Sequence, residues 1–270
     1  MKSRTTACVV AGAFLASGAA FAQTPPTQPA APSEAPAAAP AAAEPTPEHT
    51  FATKLALYSE YEYRGISQTS ERAAGQLNFD YSHSSGFYLG TFVSNIKWLK
   101  DTAEVSGFDT SAKIEWDLYG GYKWEFIKDW TLDLGYLRYE YPASSAFHPK
   151  PNTDEVYAGV SYGPATLKYS YSFNDTFGVP NSKGSDYIEL SVNQPVMEKV
   201  TFNGILGHQR YANNNTLSYS VWKAGATVDV GSGWNVGAYA KGTDAHHDLY
   251  TIKGRDWSKT RAVVFVTYTF

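Results

Sequence analysis

The sequence predicts an all-β protein, a transmembrane up-and-down antiparallel β-barrel of about 12 strands with short periplasmic turns and longer extracellular loops. Three observations predict it: strands that alternate with period two for too long to belong to a soluble sheet, connections that alternate strictly between short and long, and a last strand that ends on an aromatic residue. The clearest strand runs from Ala112 to Phe126. One parity holds Ala112, Ile114, Trp116, Leu118, Gly120, Tyr122, Trp124 and Phe126, and the other holds every charge of the stretch: Lys113, Glu115, Asp117, Lys123 and Glu125. Period two is the signature of a strand whose faces meet different surroundings. Soluble strands usually run about five or six residues, whereas a strand crossing a bilayer obliquely needs about nine to eleven, with lipid on one side, a wet lumen on the other and aromatics at both interfaces.

The N-terminus reads as an export signal. Lys2 and Arg4 precede an apolar run to Ala20, and Ala20-Phe21-Ala22 places small residues where a signal peptidase cleaves, so residues 1–22 are expected to be removed. Cys8, the sole cysteine, lies inside that run, so the mature chain carries no thiol for disulfides or for zinc. Removing Lys2 and Arg4 from the 22 basic residues leaves 20 against 26 acidic ones, a net charge of −6 that argues against a nucleic-acid partner. Residues 23–50 hold eight of the 14 prolines among many alanines and almost no large apolar side chain, which predicts a disordered periplasmic tether.

From Phe51 to the end the composition turns to Tyr, Trp, Gly, Thr, Asn and Asp, which predicts one barrel domain over 51–270. Its strand-like segments fall at 53–64, 74–84, 87–95, 111–126, 130–141, 153–162, 165–173, 185–194, 200–209, 217–230, 234–241 and 260–270. Tight turns fall at Ser85-Gly86, Ile127 to Asp129, Gly163-Pro164, Met197 to Lys199 and Gly231 to Gly233, and each alternates with a longer polar connection. Outer-membrane barrels show that asymmetry, and it puts both termini on the periplasmic side. Along the last strand Ala262, Val264, Val266, Tyr268 and Phe270 alternate, and Phe270, Tyr268 and Val266 form the expected signal for the barrel assembly machinery.

The block Tyr63-Arg64-Gly65-Ile66-Ser67-Gln68-Thr69 carries a resemblance, together with Asp80-Tyr81-Ser82-His83, Ser85-Gly86-Phe87-Tyr88-Leu89-Gly90, Ser94-Asn95-Ile96, Glu115-Trp116-Asp117-Leu118-Tyr119-Gly120-Gly121-Tyr122, Tyr141-Pro142, Glu155-Val156-Tyr157 and Leu167-Lys168-Tyr169-Ser170-Tyr171-Ser172. With these residues the chain resembles the Gcw_chp family, the TorF-type porins of proteobacteria, over essentially the whole barrel domain. Where relatives show a Gly-Gly pair opening the second strand, this chain has Gly75-Gln76. The resemblance implies an outer-membrane channel and supplies no catalytic residue.

The pleat assigns ten acidic residues to the lumen, Glu60, Glu62, Asp80, Glu115, Asp117, Glu125, Asp133, Glu155, Glu189 and Asp229, and eight basic ones, Lys54, Arg64, Lys113, Lys123, Lys168, Lys223, Lys241 and Arg261. Such a lumen fits passive diffusion of small hydrophilic solutes or ions; the alternative is that the charges pair across strands and fill a plugged structural or adhesive barrel. The expected partners are outer-membrane lipids, the assembly machinery and small solutes or ions, with no cofactor and no metal. An enzyme is the competing class, with His83 beside the Ser85-Gly86 turn as its foothold. His246-His247-Asp248 in the last long connection reads as solvated polar loop.

Overall fold

The computed structural model describes residues 47–270, so the signal segment and residues 23–46 of the tether lie outside the described residues. Twelve strands close a barrel: β1 (His49–Tyr58), β4 (Ala74–His83), β5 (Phe87–Asn95), β6 (Ile114–Ile127), β7 (Trp130–Glu140), β8 (Thr153–Tyr162), β9 (Ala165–Ser172), β10 (Asp186–Met197), β11 (Val200–Arg210), β12 (Tyr219–Gly231), β13 (Trp234–Thr243) and β16 (Arg261–Thr269). Each pairs antiparallel with its neighbour in the barrel, and β1 closes the wall against β16 through the register Lys54 to Thr269 and Tyr58 to Phe265. The backbone amide of Phe270 adds a bond of 2.9 Å to the Thr53 carbonyl at this seam. Closure satisfies the backbone polar groups that hydrocarbon cannot. Among the described residues no helix is long and apolar enough to cross a membrane.

The alternation read from the sequence is the alternation of the wall. Along β6 Trp116, Leu118, Trp124 and Phe126 are exposed on the outside, while Glu115, Asp117 and Tyr119 are almost wholly buried inside. Outward charge is confined to strand ends, as in Arg138, which reaches Glu140 at 2.8 Å and Asp154 at 3.0 Å beside the long connections. At the opposite rim Trp130 stacks on Tyr162 and Trp234 tilts against Tyr268, at 4.7 Å between ring centroids in both pairs. These rings form a belt suited to a membrane interface.

Inside, tyrosines lie flat on glycines. In the register of neighbouring strands Gly90 faces Tyr119, Gly121 faces Tyr88 and Gly135 faces Tyr157. A Cβ on Gly90 would stand 2.4 Å from the Tyr119 ring, and one on Gly135 would stand 2.3 Å from Tyr157. Each aromatic thus lies along the wall, and the lumen keeps its width.

Two departures from the expected strands concern the interior. β1 ends at Tyr58, not at 64, so Glu60, Glu62 and Arg64 belong to no wall strand. β6 starts at Ile114, later than expected, and Lys113, just before it, is exposed. The long connection after β5 also holds a helix, α1 (Trp98–Val105), which buries Leu99 and Ala103 and carries the i,i+4 ion pair Lys97–Asp101 at 3.1 Å.

Candidate functional site

The connection after β1, residues 59–73, folds into the barrel. Glu60 to Ser70 are all buried, although a connection of this polarity ordinarily faces water. Its core is a small hairpin, β2 (Glu62–Tyr63) paired with β3 (Ile66–Ser67), whose two-residue tip is Arg64-Gly65. Both tip residues have positive φ, 46° and 82°, as a twist-matched two-residue hairpin turn requires. Glycine meets that demand freely, and a Cβ at Gly65 would also stand 2.5 Å from Thr243 Cγ2. Arginine does not prefer this region, so its side chain must be held by its surroundings.

It is held across the lumen. The Arg64 guanidinium donates to both carboxylate oxygens of Glu155 on β8, at 2.8 and 3.1 Å, and to Gln209 Oε1 on β11 at 2.7 Å. The Tyr187 ring lies 4.2 Å from its central carbon. A forked, stacked guanidinium of this kind uses geometry that lysine cannot supply.

Other wall strands grip the same segment. Tyr61 donates a short hydrogen bond to Glu115 on β6, which also accepts from Tyr141 at 2.9 Å. Tyr63 and Tyr139 share a hydroxyl contact of 2.5 Å. Glu62 lies 3.6 Å from Lys223 on β12 and accepts from the Gly65 amide at 2.9 Å. Burial pushes the Glu62 carboxyl above its usual range, and the Lys223 and Lys241 ammonium groups oppose that rise. Lys241 on β13, fully buried, donates to the Gly65 carbonyl at 2.9 Å. At the long-connection end, Gln68 offers its carbonyl to the amides of Lys97 and Trp98 ahead of and at the start of α1, and Ser70 donates to Asp101 at 2.5 Å. Lys253, at the turn of the hairpin β14 (Thr251–Ile252) and β15 (Arg255–Asp256), contacts Asp101 and Glu104 of the helix, and its hydrogen bond holds the Glu104 carboxyl below its usual range.

Other residues of the sequence-assigned set lie along the wall strands. Lys168 pairs in register with Glu189, and its ammonium sits 4.0 Å from the Tyr157 ring centre. Lys123 faces Asp133 across β6 and β7, and Tyr88 donates to Asp133 at 2.5 Å. Asp229 caps the Ser232 turn through the Gly231 amide at 2.8 Å. Asp117 is fully buried, and both its carboxylate oxygens lack a hydrogen-bond partner among the described residues. The tyrosines that bind the segment, and Gln209, were not singled out by sequence reasoning. Their signal was the inward parity of Tyr139, Tyr187 and Gln209 on their strands, but only the register shows what they reach.

The closed wall, apolar outside and charged within, defines a transmembrane β-barrel of the porin fold. The chain belongs to the Gcw_chp family, described as bacterial protein of unknown function, which it matches over residues 42–270. Among solved structures it is similar to the KdgM porin, with a TM-score of 0.53, 10% identity and coverage of 81% of this chain and 99% of that one. It is similar also to the NanC porin, with a TM-score of 0.52, 12% identity and coverage of 81% and 98%. No curated protein sequence matches the chain.

Proposed function

We propose that this chain is a porin-like channel of the bacterial outer membrane. Small hydrophilic solutes or ions diffuse through its narrow, mixed-charge lumen, which the inward-folded segment 59–73 constricts. One observation carries the reading: the barrel closes, its exterior is apolar, and Glu155 and Lys223 are buried, as suits groups that act on passage without meeting lipid. Acidic and basic groups nearly balance. Rings of like charge set ion preference and none dominates here, so selectivity is weak, and cationic where present. A structure of the similarly folded KdgM contains disordered oligogalacturonate; the mixed signs of this lumen do not favour a single polyanion. Export by a cleaved signal, a tether from residue 23 that ends where β1 begins at His49, two residues short of the expected bound, and delivery by the assembly machinery complete the reading, in which the chain is not an enzyme.

A second reading has its own observation. The burial of Glu60 to Ser70 and their bonds to six wall strands fit a barrel plugged for a structural role. Purified protein in planar bilayers and in liposome-swelling assays with small sugars separates the two. Conductance steps and swelling support the channel. A folded barrel with neither is the plugged form.

A further inference from the structure

The expectation of no metal weighed the missing thiols and the adjacent His246-His247-Asp248, and strand pairing brings together what the sequence keeps apart. We infer that the short-turn rim of the β1–β4 seam is a transition-metal site, formed by Glu48, His49 and His83 and suited to zinc or another divalent ion that prefers imidazole. His49 and His83 are direct partners in the β1–β4 register, with ring centroids 5.2 Å apart. One ligand atom from each of the three residues lies within 4.8 Å of the others. Zinc-bound nitrogens and oxygens lie about 2.0–2.2 Å from the ion, so small side-chain rotations close the set, and two histidines with one carboxylate leave a fourth position for water.

The surroundings orient both rings. His49 Nδ1 meets the Tyr81 hydroxyl at 2.9 Å, and His83 Nδ1 meets the Ser85 hydroxyl at 2.6 Å. With its Nδ1–H donating to Tyr81, His49 keeps an Nε2 lone pair for the ion, the arrangement that orients metal-binding histidines elsewhere, whereas His83 Nδ1 accepts from the Ser85 amide and its Nε2 carries a proton that the ion displaces on binding. His83 Nε2 already faces Glu48 Oε1 at 3.3 Å. Glu48 is itself anchored, because its carbonyl accepts from the Ser84 amide at 2.9 Å. All three residues are at least partly open to solvent on the outer face of the wall, so an ion has a path in.

The same residues also present Ser85, His83 and Glu48 in the order of a hydrolytic nucleophile, base and acid. The Ser85 amide that would serve a developing oxyanion is instead turned onto His83 Nδ1, at 3.1 Å. Metal binding is therefore the better use of the cluster.

The test uses the mature full-length protein folded in a phosphate-free maltoside detergent and titrated with Co²⁺ and Zn²⁺. One Co²⁺ per barrel is expected, with visible bands of a four-coordinate site that Zn²⁺ displaces. His49→Ala and His83→Ala should each weaken binding by at least tenfold and Glu48→Gln by less, while the double variant His246→Ala with His247→Ala binds as the parent does. The histidines lie at the rim, so the heat-modifiable gel shift confirms that each variant remains folded. Binding unchanged in His83→Ala, loss of binding in the His246/His247 variant instead, no binding at 100-fold excess metal, or labelling of Ser85 by a fluorophosphonate would each overturn the assignment.

Discussion

Replacing Arg64 by alanine tests how the lumenal segment is held. The substitution leaves Glu155 buried at 1% exposure with a charge and no guanidinium, and strips Gln209 of its donor. Removing one partner of a buried pair typically costs about 3–5 kcal/mol. Here the wall need not unfold to relieve it, because segment 59–73 can leave the lumen and let water reach Glu155. The population with the segment docked should therefore fall relative to the displaced one by roughly 100- to 4,000-fold, at about 1.4 kcal/mol per factor of ten. Single-channel recording is the assay. Arg64→Ala should show larger or more frequent open steps than the parent, and adding Glu155→Gln should restore much of the parent behaviour by removing the stranded charge. Arg64→Lys should resemble alanine more than arginine, since lysine lacks the fork. If Arg64→Ala folds normally and its conductance matches the parent's, the segment is not held in the lumen by Arg64.

Three further predictions concern selectivity, topology and assembly. Glu115→Gln with Asp117→Asn removes two buried inward carboxyl groups, so the reversal potential in a salt gradient should move toward anions; a shift toward cations would contradict the lumen assignment. Single cysteines at Thr102 or Asn214, in the long connections, should react with an impermeant maleimide on intact cells, and one at Ser232 in a short turn should not; equal labelling would reverse the orientation. Deleting Phe270 removes its amide bond to Thr53 at the seam and its ring packed 4.7 Å from Tyr268, and should lower the amount of heat-modifiable barrel in the membrane fraction.

The wall was legible because hydrocarbon imposes period two on every strand, and a lipid-facing error has no cheap remedy. β4, β5, β8 and β9 therefore fall within a residue or so of their expected bounds. The same rule misled at residues 60–64, where Glu60, Glu62 and Arg64 continue the polar parity of β1 although the chain has already turned inward. A strand crossing the bilayer and a hairpin buried in a polar lumen write the same alternation, and only the partners tell them apart. Helix α1 escaped notice because it has eight residues in a polar connection, its signals being the Leu99/Ala103 spacing and the Lys97–Asp101 and Lys100–Glu104 pairs. The β1–β4 rim cluster was hidden for another reason: 34 positions separate His49 from His83, and only the register makes them neighbours.

The hairpin at Arg64-Gly65 springs from β1, yet its partners Glu155, Gln209, Lys223 and Lys241 sit on β8, β11, β12 and β13, none of them hydrogen-bonded to β1 in the sheet. Mechanically it is the hub of a wheel. Backbone ladders keep a cylinder from splitting along its length but do little to stop it flattening, whereas spokes of fixed length from a central hub resist any change from a round to an oval section. Lateral pressure from the surrounding bilayer is then borne by a few charged contacts at the axis as well as by the wall, and a variant that frees the hub should yield a barrel that is both more open and softer in cross-section.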